Sequence, residues 1–293
     1  MQMRNVDPLD GVTLGFVGAG NMAEALIRGL LRNTSISPGS ILVNNRGNAA
    51  RLVGLKDRYG IVPEESKDVL CVRADLLILA VKPADIDVCT AQLEPYVRRD
   101  HLILSVLAGV RLAALAARLP RGRRIVRAMP NTSATVGAGI TAITYPSDTD
   151  EDTRALVDSI FAAVGEVVSV AEDMIDVVTG LSGSGPAYIY LVAEALAEAG
   201  RKLGLSREIA LRLAIETIAG AGAMMKSGVE PSSLRRQVTS AGGTTEAGLA
   251  ILQDRGLSAM MEAAVDSASK RSRELADLCR TERSEVNTAG SLY

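Results

Sequence analysis

The residues whose types and spacing point to chemistry begin with Gly18, Gly20 and Ala23. They form a G-x-G-x-x-A pattern between the strand-type run Thr13-Leu14-Gly15-Phe16-Val17 and residues 23–31, which have helical spacing. In such a strand–turn–helix the first glycine permits the tight turn and the second lets a pyrophosphate approach the backbone. A small third residue lets the helix pack close to the strand. Free N–H groups at the helix start then face the phosphates. Gly18, Ala19, Gly20, Asn21 and Met22 are therefore expected to hold a dinucleotide.

A second cluster, Asn44-Asn45-Arg46, follows the apolar run Ile41-Leu42-Val43. In a dinucleotide fold this is where the adenosine ribose is read. An acid here would accept a bond from the 2′-hydroxyl of NADH, whereas a basic or neutral polar set accommodates a 2′-phosphate. With two Asn, one Arg and no acid, the sequence favours NADPH over NADH.

Two more clusters lie in the second half. Thr179-Gly180-Leu181-Ser182-Gly183-Ser184-Gly185-Pro186 has more glycines than an interhelix turn needs. It suits either backbone approach to the nicotinamide end of the cofactor or close helix packing. In Ser240-Ala241-Gly242-Gly243-Thr244-Thr245, two glycines precede hydroxyl residues at an expected helix start. Backbone N–H groups and the helix dipole there favour an anion such as a substrate carboxylate. Thr244 or Thr245 as a simple N-cap is the plainer alternative, and the two roles are compatible.

The elements that must position these residues alternate at first. Apolar strand-type runs lie at residues 40–44, 61–62, 74–83, 101–106, 124–129, 139–145 and 165–170. Leu76-Leu77-Ile78-Leu79-Ala80-Val81 is apolar on both faces, as buried parallel strands are. The carboxyl ends of such strands line the cofactor crevice. Past Ala171 only helical patterns remain, at residues 175–181, 187–203, 206–227, 232–238, 245–254 and 258–279, with Ser206 as an N-cap. The expected fold is an α/β, Rossmann-type dinucleotide-binding domain over residues 1–171. An all-α dimerisation and substrate domain follows over 172–280, then a polar, poorly ordered tail over 281–293. Residues 187–203 and 209–225 are rich in Ala, Leu and Gly around most of their circumference, so a partner subunit is expected to bury them.

Composition closes off other classes. The chain has 293 residues, 47% of them hydrophobic and 3% aromatic, with a net charge of -2. A nucleic-acid binder would show a basic excess. Cys71, Cys89 and Cys279 are scattered and read as small buried hydrophobes, against a disulfide framework or a zinc site. The single histidine, His101, opens an apolar run and reads as a structural strand-edge residue. One histidine argues against a metal cluster and against a histidine-based catalytic dyad. No run approaches a membrane span and the start has no apolar signal core, so a cytoplasmic protein is expected.

The chain resembles the pyrroline-5-carboxylate reductases. The matching residues are Gly15-Phe16-Val17-Gly18-Ala19-Gly20-Asn21-Met22, Ala80-Val81-Lys82-Pro83, Met129-Pro130-Asn131-Thr132, the run from Thr179 through Tyr188, and that from Ser240 through Thr245, all in family order. The resemblance implies NAD(P)H-dependent reduction of 1-pyrroline-5-carboxylate to proline, by a homodimer often assembled into a decamer. By position, Asn45 and Arg46 would lie near the 2′-phosphate. Ala80, Val81, Lys82, Pro83, Leu107, Ala108 and Gly109 would line the cofactor. Ser240, Gly243, Thr244 and Thr245 would hold substrate, with the Thr245 hydroxyl on the ring nitrogen as the catalytic contact. Two positions depart: Lys67 stands where many members carry Asn near the cofactor, and Ala241 where Pro is frequent.

Two other readings compete. A β-hydroxyacid dehydrogenase would need a lysine about one turn into the helix after the glycine-rich stretch, and Ala187-Tyr188-Ile189-Tyr190-Leu191 has none. A non-catalytic NADPH-binding regulator would not need the substrate-type motif at 240–245.

Overall fold

The computed structural model describes residues 7–121 and 124–289, with side chains as far as 278. By packing the chain forms two units, one of residues up to Gly183 together with those from Ala268 onward, the other Ser184–Ser267.

The first unit is built on an eight-stranded sheet. Its strands are β1 (Leu14–Val17), β2 (Ile41–Asn44), β3 (Val62–Pro63), β4 (Leu76–Leu79), β5 (Leu102–Ser105), β6 (Arg124–Pro130), β7 (Gly139–Thr144) and β8 (Gly165–Ser169). The spatial order is β3-β2-β1-β4-β5-β6-β7-β8, with only the β6–β7 pair antiparallel. The first six strands thus follow the 3-2-1-4-5-6 order of a doubly wound dinucleotide fold, as expected. Its helices are α1 (Asn21–Asn33), α2 (Ala49–Tyr59), α3 (Lys67–Arg73), α4 (Ile86–Leu93), α5 (Leu112–Arg118), α6 (Glu151–Ala162) and the short α7 (Ile175–Val178).

Side chains alternate across each strand, so the apolar runs serve two cores. On one face Phe16, Val43, Ile78 and Leu104 pack with Leu26, Ile27 and Leu30 of α1 and Phe161 of α6. On the other, Leu42, Leu77, Leu79 and Ile103 pack with Leu70 of α3, Leu93 of α4 and Leu115 of α5. Burial on both faces is why these strands read as continuous apolar runs.

The second unit contains α8 (Gly185–Lys202), α9 (Arg207–Met225), α10 (Pro231–Gln237) and α11 (Thr244–Asp254). The long α12 (Leu257–Ala289) starts here and contributes its later turns to the first unit. Ser206 caps α9, its hydroxyl accepting the Ile209 N–H at 3.3 Å. In the single chain α8 buries no residue, and Tyr190, Leu191, Leu213 and Met224 are all more than half exposed. Among the described residues no helix is long and apolar enough to cross a membrane.

The packing boundary differs from the one expected at Ala171. Residues 172–183 stay with the sheet because side chains distant in sequence hold them there. Glu172 accepts the Leu112 N–H at 2.6 Å. Ile175 is fully buried, and Ser272 of α12 donates to the buried Asp176 at 2.6 Å. The segment expected to be a poorly ordered tail continues as helix to Ala289, and its remainder, 290–293, lies outside the described residues. Cys71 and Cys89 are buried and unpaired; the side chain of Cys279 lies outside the described residues.

Candidate active site

Register brings the first two clusters together. Val17 stands level with Asn44 and with Leu79, so β1, β2 and β4 end side by side. Gly18 N–H donates to the Asn44 carbonyl at 2.8 Å, and Ala80 N–H to the Val17 carbonyl at 2.9 Å. A cavity of about 260 Å³ opens at these ends. Gly18, Ala19 and Gly20 line it from the first turn, Asn45 and Arg46 from the end of β2, and Ala80, Val81 and Lys82 from the end of β4.

The two glycines have different reasons. Gly18 has φ +108, and a Cβ there would stand 2.5 Å from the Ala80 carbonyl oxygen, so the fold itself demands glycine. At Gly20 a Cβ would meet only that oxygen, at 4.0 Å, so the protein leaves this space open toward the cavity. Gly20 caps α1 without a side chain, and the N–H groups of Asn21 and Met22 have no intrahelical acceptor. Open space, free donors and a helix N-terminus fit a pyrophosphate.

The other predicted residues divide. Pro83 opens a 3₁₀ turn, Pro83–Asp85, beside the cavity without lining it. Leu107 is in the core on the second face, and Gly109 packs on Leu275 of α12; the structure brings neither into this cavity. Asn44 is buried, and its amide donates to the carbonyls of Glu64 and Glu65 at 2.8 and 3.1 Å. That side chain anchors the segment after β3.

Several lining residues lie outside the motifs read in the sequence, and of these the family resemblance points only to Lys67. Lys67, Asp85, Val88, Cys89 and Gln92 reach the cavity from α3, α4 and the turn between β4 and α4. Lys67 is distant in sequence from the other four, which share one turn and the helix after it, and none belongs to a motif. Burial pushes the Cys89 thiol up to about 11, so it is not a nucleophile at neutral pH. Arg46 pairs with Asp85 at 3.3 Å, while Lys67 Nζ donates to Gln92 Oε1 at 2.8 Å. Around the turn, Glu24 of α1 receives Arg51, Arg58 and Tyr59. Burial opposes the Glu24 charge, but these donors and the two arginine charges outweigh it and hold its carboxyl below the usual range.

Asn131 at the end of β6 joins the sheet to the glycine-rich stretch. Its amide donates to the Ser182 carbonyl at 3.2 Å, and its oxygen accepts the Ile140 N–H at 3.3 Å. Thr179–Gly183 forms a π-helical turn, and a Cβ on Gly183 would stand 3.0 Å from the Met129 methyl.

In the helical unit, Gly243 is the N-cap of α11, and its N–H donates to the Ser240 carbonyl at 3.0 Å. A Cβ on Gly243 would overlap Ser240 Oγ, which keeps the loop tight. Ser240, Gly243, Thr244 and Thr245 thus form one turn. Thr244 and Thr245 are the first residues of α11, with Thr245 half-buried. Gly242 N–H is already engaged, donating to Glu246 Oε2 at 2.7 Å.

A doubly wound sheet with this glycine turn and cavity defines a dinucleotide-binding protein. The comparisons narrow the class. Residues 172–275 match the family model described as pyrroline-5-carboxylate reductase dimerisation, and residues 13–109 the one described as NADP oxidoreductase, coenzyme F420-dependent. A pyrroline-5-carboxylate reductase of Synechocystis sp. is 42% identical over 90% of this chain and 98% of its own. The solved structure of a pyrroline-5-carboxylate reductase from Coxiella burnetii superposes with a TM-score of 0.85 at 37% identity, covering 90% of this chain and 98% of that one. A Plasmodium falciparum pyrroline carboxylate reductase with NADP bound gives 0.80 at 29% identity, covering 91% and 98%. The chain belongs to the pyrroline-5-carboxylate reductase family.

Proposed function

We infer that the protein reduces L-1-pyrroline-5-carboxylate to L-proline with NADPH, the closing step of proline biosynthesis. Family membership over nine-tenths of the chain carries this reading. The intact turn from Ser240 to Thr245 supports it. NADPH is the expected donor because β2 ends in Asn44-Asn45-Arg46 with no acid, and a relative binds NADP. NADH is the weaker alternative.

NADPH supplies the hydride for the C=N carbon; the protein supplies orientation and electrostatics. Gly18, Ala19, Gly20, Asn21 and Met22 hold the pyrophosphate. Asn45 and Arg46 take the 2′-phosphate. Ala80, Val81 and Lys82 line the cofactor cavity from the end of β4, and by the family resemblance Pro83, Leu107, Ala108 and Gly109 would flank the rest of the cofactor outside that cavity. Ser240, Gly243 and Thr244 fix the ring carboxylate, and the Thr245 hydroxyl bonds the ring nitrogen. A protonated imine is already electrophilic, so no strong protein acid is required. Thr245 orients the nitrogen or relays a proton from water, and positioning of this kind lowers a barrier by several kcal/mol, of order a few to ~10.

The same reading makes the protein a homodimer through its helical unit, with further assembly into a decamer, in the cytoplasm. The exposed apolar residues of α8 and α9 and the dimerisation family model support the dimer. The deciding experiment is oxidation of NADPH, and separately NADH, with and without pyrroline-5-carboxylate. Substrate-dependent oxidation, faster with NADPH, is expected. Faster NADH oxidation would keep the reaction and reverse the cofactor. No oxidation with either, in folded protein that binds cofactor, would remove the reaction.

A further inference from the structure

We propose that Lys67 is the residue that selects the 2′-phosphate of NADPH, acting beside Arg46 at the adenosine end of the cofactor cavity. The proposal rests on the dinucleotide reading of that cavity. Its strand order places the sites: the pyrophosphate lies over the end of β1, and the ribose is read at the end of β2. Lys67 opens α3, the helix after β3, which is the strand on the outer side of β2. Its side chain therefore enters the cavity from the adenosine side, and it shares the lining with Asn45 and Arg46.

The charges there are unevenly matched. The described lining carries Arg46, Lys67 and Lys82 against one carboxylate, Asp85. Arg46 spends its charge on that carboxylate, at 3.3 Å. The hydrogen bond of Lys67 goes to the neutral amide oxygen of Gln92, at 2.8 Å, and no ion pair to it is found among the described residues. A phosphate arriving beside both must compete with Asp85 for Arg46 but with no opposite charge for Lys67. Lys67 is also held in place. Asn44 ties the backbone of Glu64 and Glu65 to the end of β2, which fixes the start of α3 two residues later. A lysine in the first turn of a helix gains nothing from the helix dipole, so its loss leaves α3 intact.

The test compares 2′,5′-ADP with 5′-AMP, which differ only by the 2′-phosphate, in calorimetric titrations of the full-length protein, wild type, Lys67→Met and Lys67→Arg. Wild type is expected to bind 2′,5′-ADP the more tightly, by a margin that shrinks with added salt. Lys67→Met should weaken 2′,5′-ADP by roughly 10-fold and leave 5′-AMP within about 2-fold, the size of one charge-assisted contact. Lys67→Arg, which keeps the charge, should retain most of the discrimination. Equal weakening of both ligands, or undiminished discrimination in Lys67→Met, overturns the proposal. Wild-type protein that does not discriminate at all would remove the NADPH reading, and this proposal with it.

Discussion

Arg51 Nε donates a 2.9 Å hydrogen bond to the carbonyl oxygen of Ala19, the middle residue of the glycine turn. The same guanidinium reaches Glu24 in the first turn of α1, and the Arg51 N–H is capped by Asn48. One side chain thus ties the turn, the helix it leads into and the start of α2. With the Ala19 carbonyl held on Arg51, the neighbouring N–H groups are left for phosphate. Arg51→Gln should raise the Kd of NADPH and of NADH by the same factor, about 10-fold, with kcat at saturation nearly unchanged. Fluorescence titration with both cofactors checks this. A change confined to NADPH would place Arg51 at the 2′-phosphate instead.

Gly18→Ala should fail twice. Its φ of +108 is strained for any L side chain, and the new methyl would press on the Ala80 carbonyl. A loss of about 2 kcal/mol in unfolding free energy is expected from backbone strain of this kind, together with loss of NADPH binding. Urea unfolding and cofactor titration measure the two effects. Gly20→Ala, where the protein leaves room, should keep stability and lose only cofactor affinity.

Thr245→Ala should lower kcat/KM for pyrroline-5-carboxylate by roughly 10-fold or more, about 1.4 kcal/mol, with cofactor affinity unchanged. Thr245→Ser keeps the hydroxyl and should recover most of the rate. Steady-state kinetics of both variants decide the matter; wild-type values for Thr245→Ala would take this hydroxyl out of the mechanism.

The Glu246 carboxylate accepts a loop N–H from Gly242 at 2.7 Å, beside the turn assigned to the substrate carboxylate. Like charges should compete there. Glu246→Gln should lower the substrate KM by about 2- to 5-fold at low ionic strength, an exposed-pair magnitude, and the gain should fade as salt is added. An increase in KM would mean that Glu246 shapes the loop more than it repels substrate.

His101 is fully buried, with Nδ1 accepting the Arg98 N–H at 3.0 Å and Nε2 paired with the Cys71 carbonyl at 2.9 Å. Burial, and then the Arg98 charge, lower its pKa from the ordinary 6.5. The unfolded chain therefore takes up this proton first. The stability His101 contributes is present above pH 6.5 and is lost as pH falls below it toward the folded pKa, by at most about 1.4 kcal/mol per pH unit. Since His101 is the single histidine, unfolding between pH 7.5 and 5.5 isolates it. A His101→Gln variant should flatten that slope.

The glycine turn, the apolar strands and the helical second half were legible because each is a local signal. A turn needing Gly18, a run apolar on both faces and an N-cap at Ser206 are dictated within a few residues of chain. The family was legible for the same reason, since its motifs are short and contiguous. What lay hidden depends on contacts between segments far apart. Asn44 stands in the expected phosphate-reading cluster, yet its amide is spent on Glu64 and Glu65, and nothing in Asn44-Asn45-Arg46 announces that.

The sequence alone determined the order of elements, the turn that accepts a pyrophosphate and the absence of an acid at the end of β2. Tertiary structure alone decided that Lys67 bonds Gln92 while Arg46 pairs with Asp85, that Arg51 holds the Ala19 carbonyl, and that residues 172–183 pack with the sheet. The physical reason is range. Backbone conformation follows from neighbouring residues, but the direction in which a polar side chain spends its hydrogen bonds and charge is set by whichever segments the sheet brings beside it.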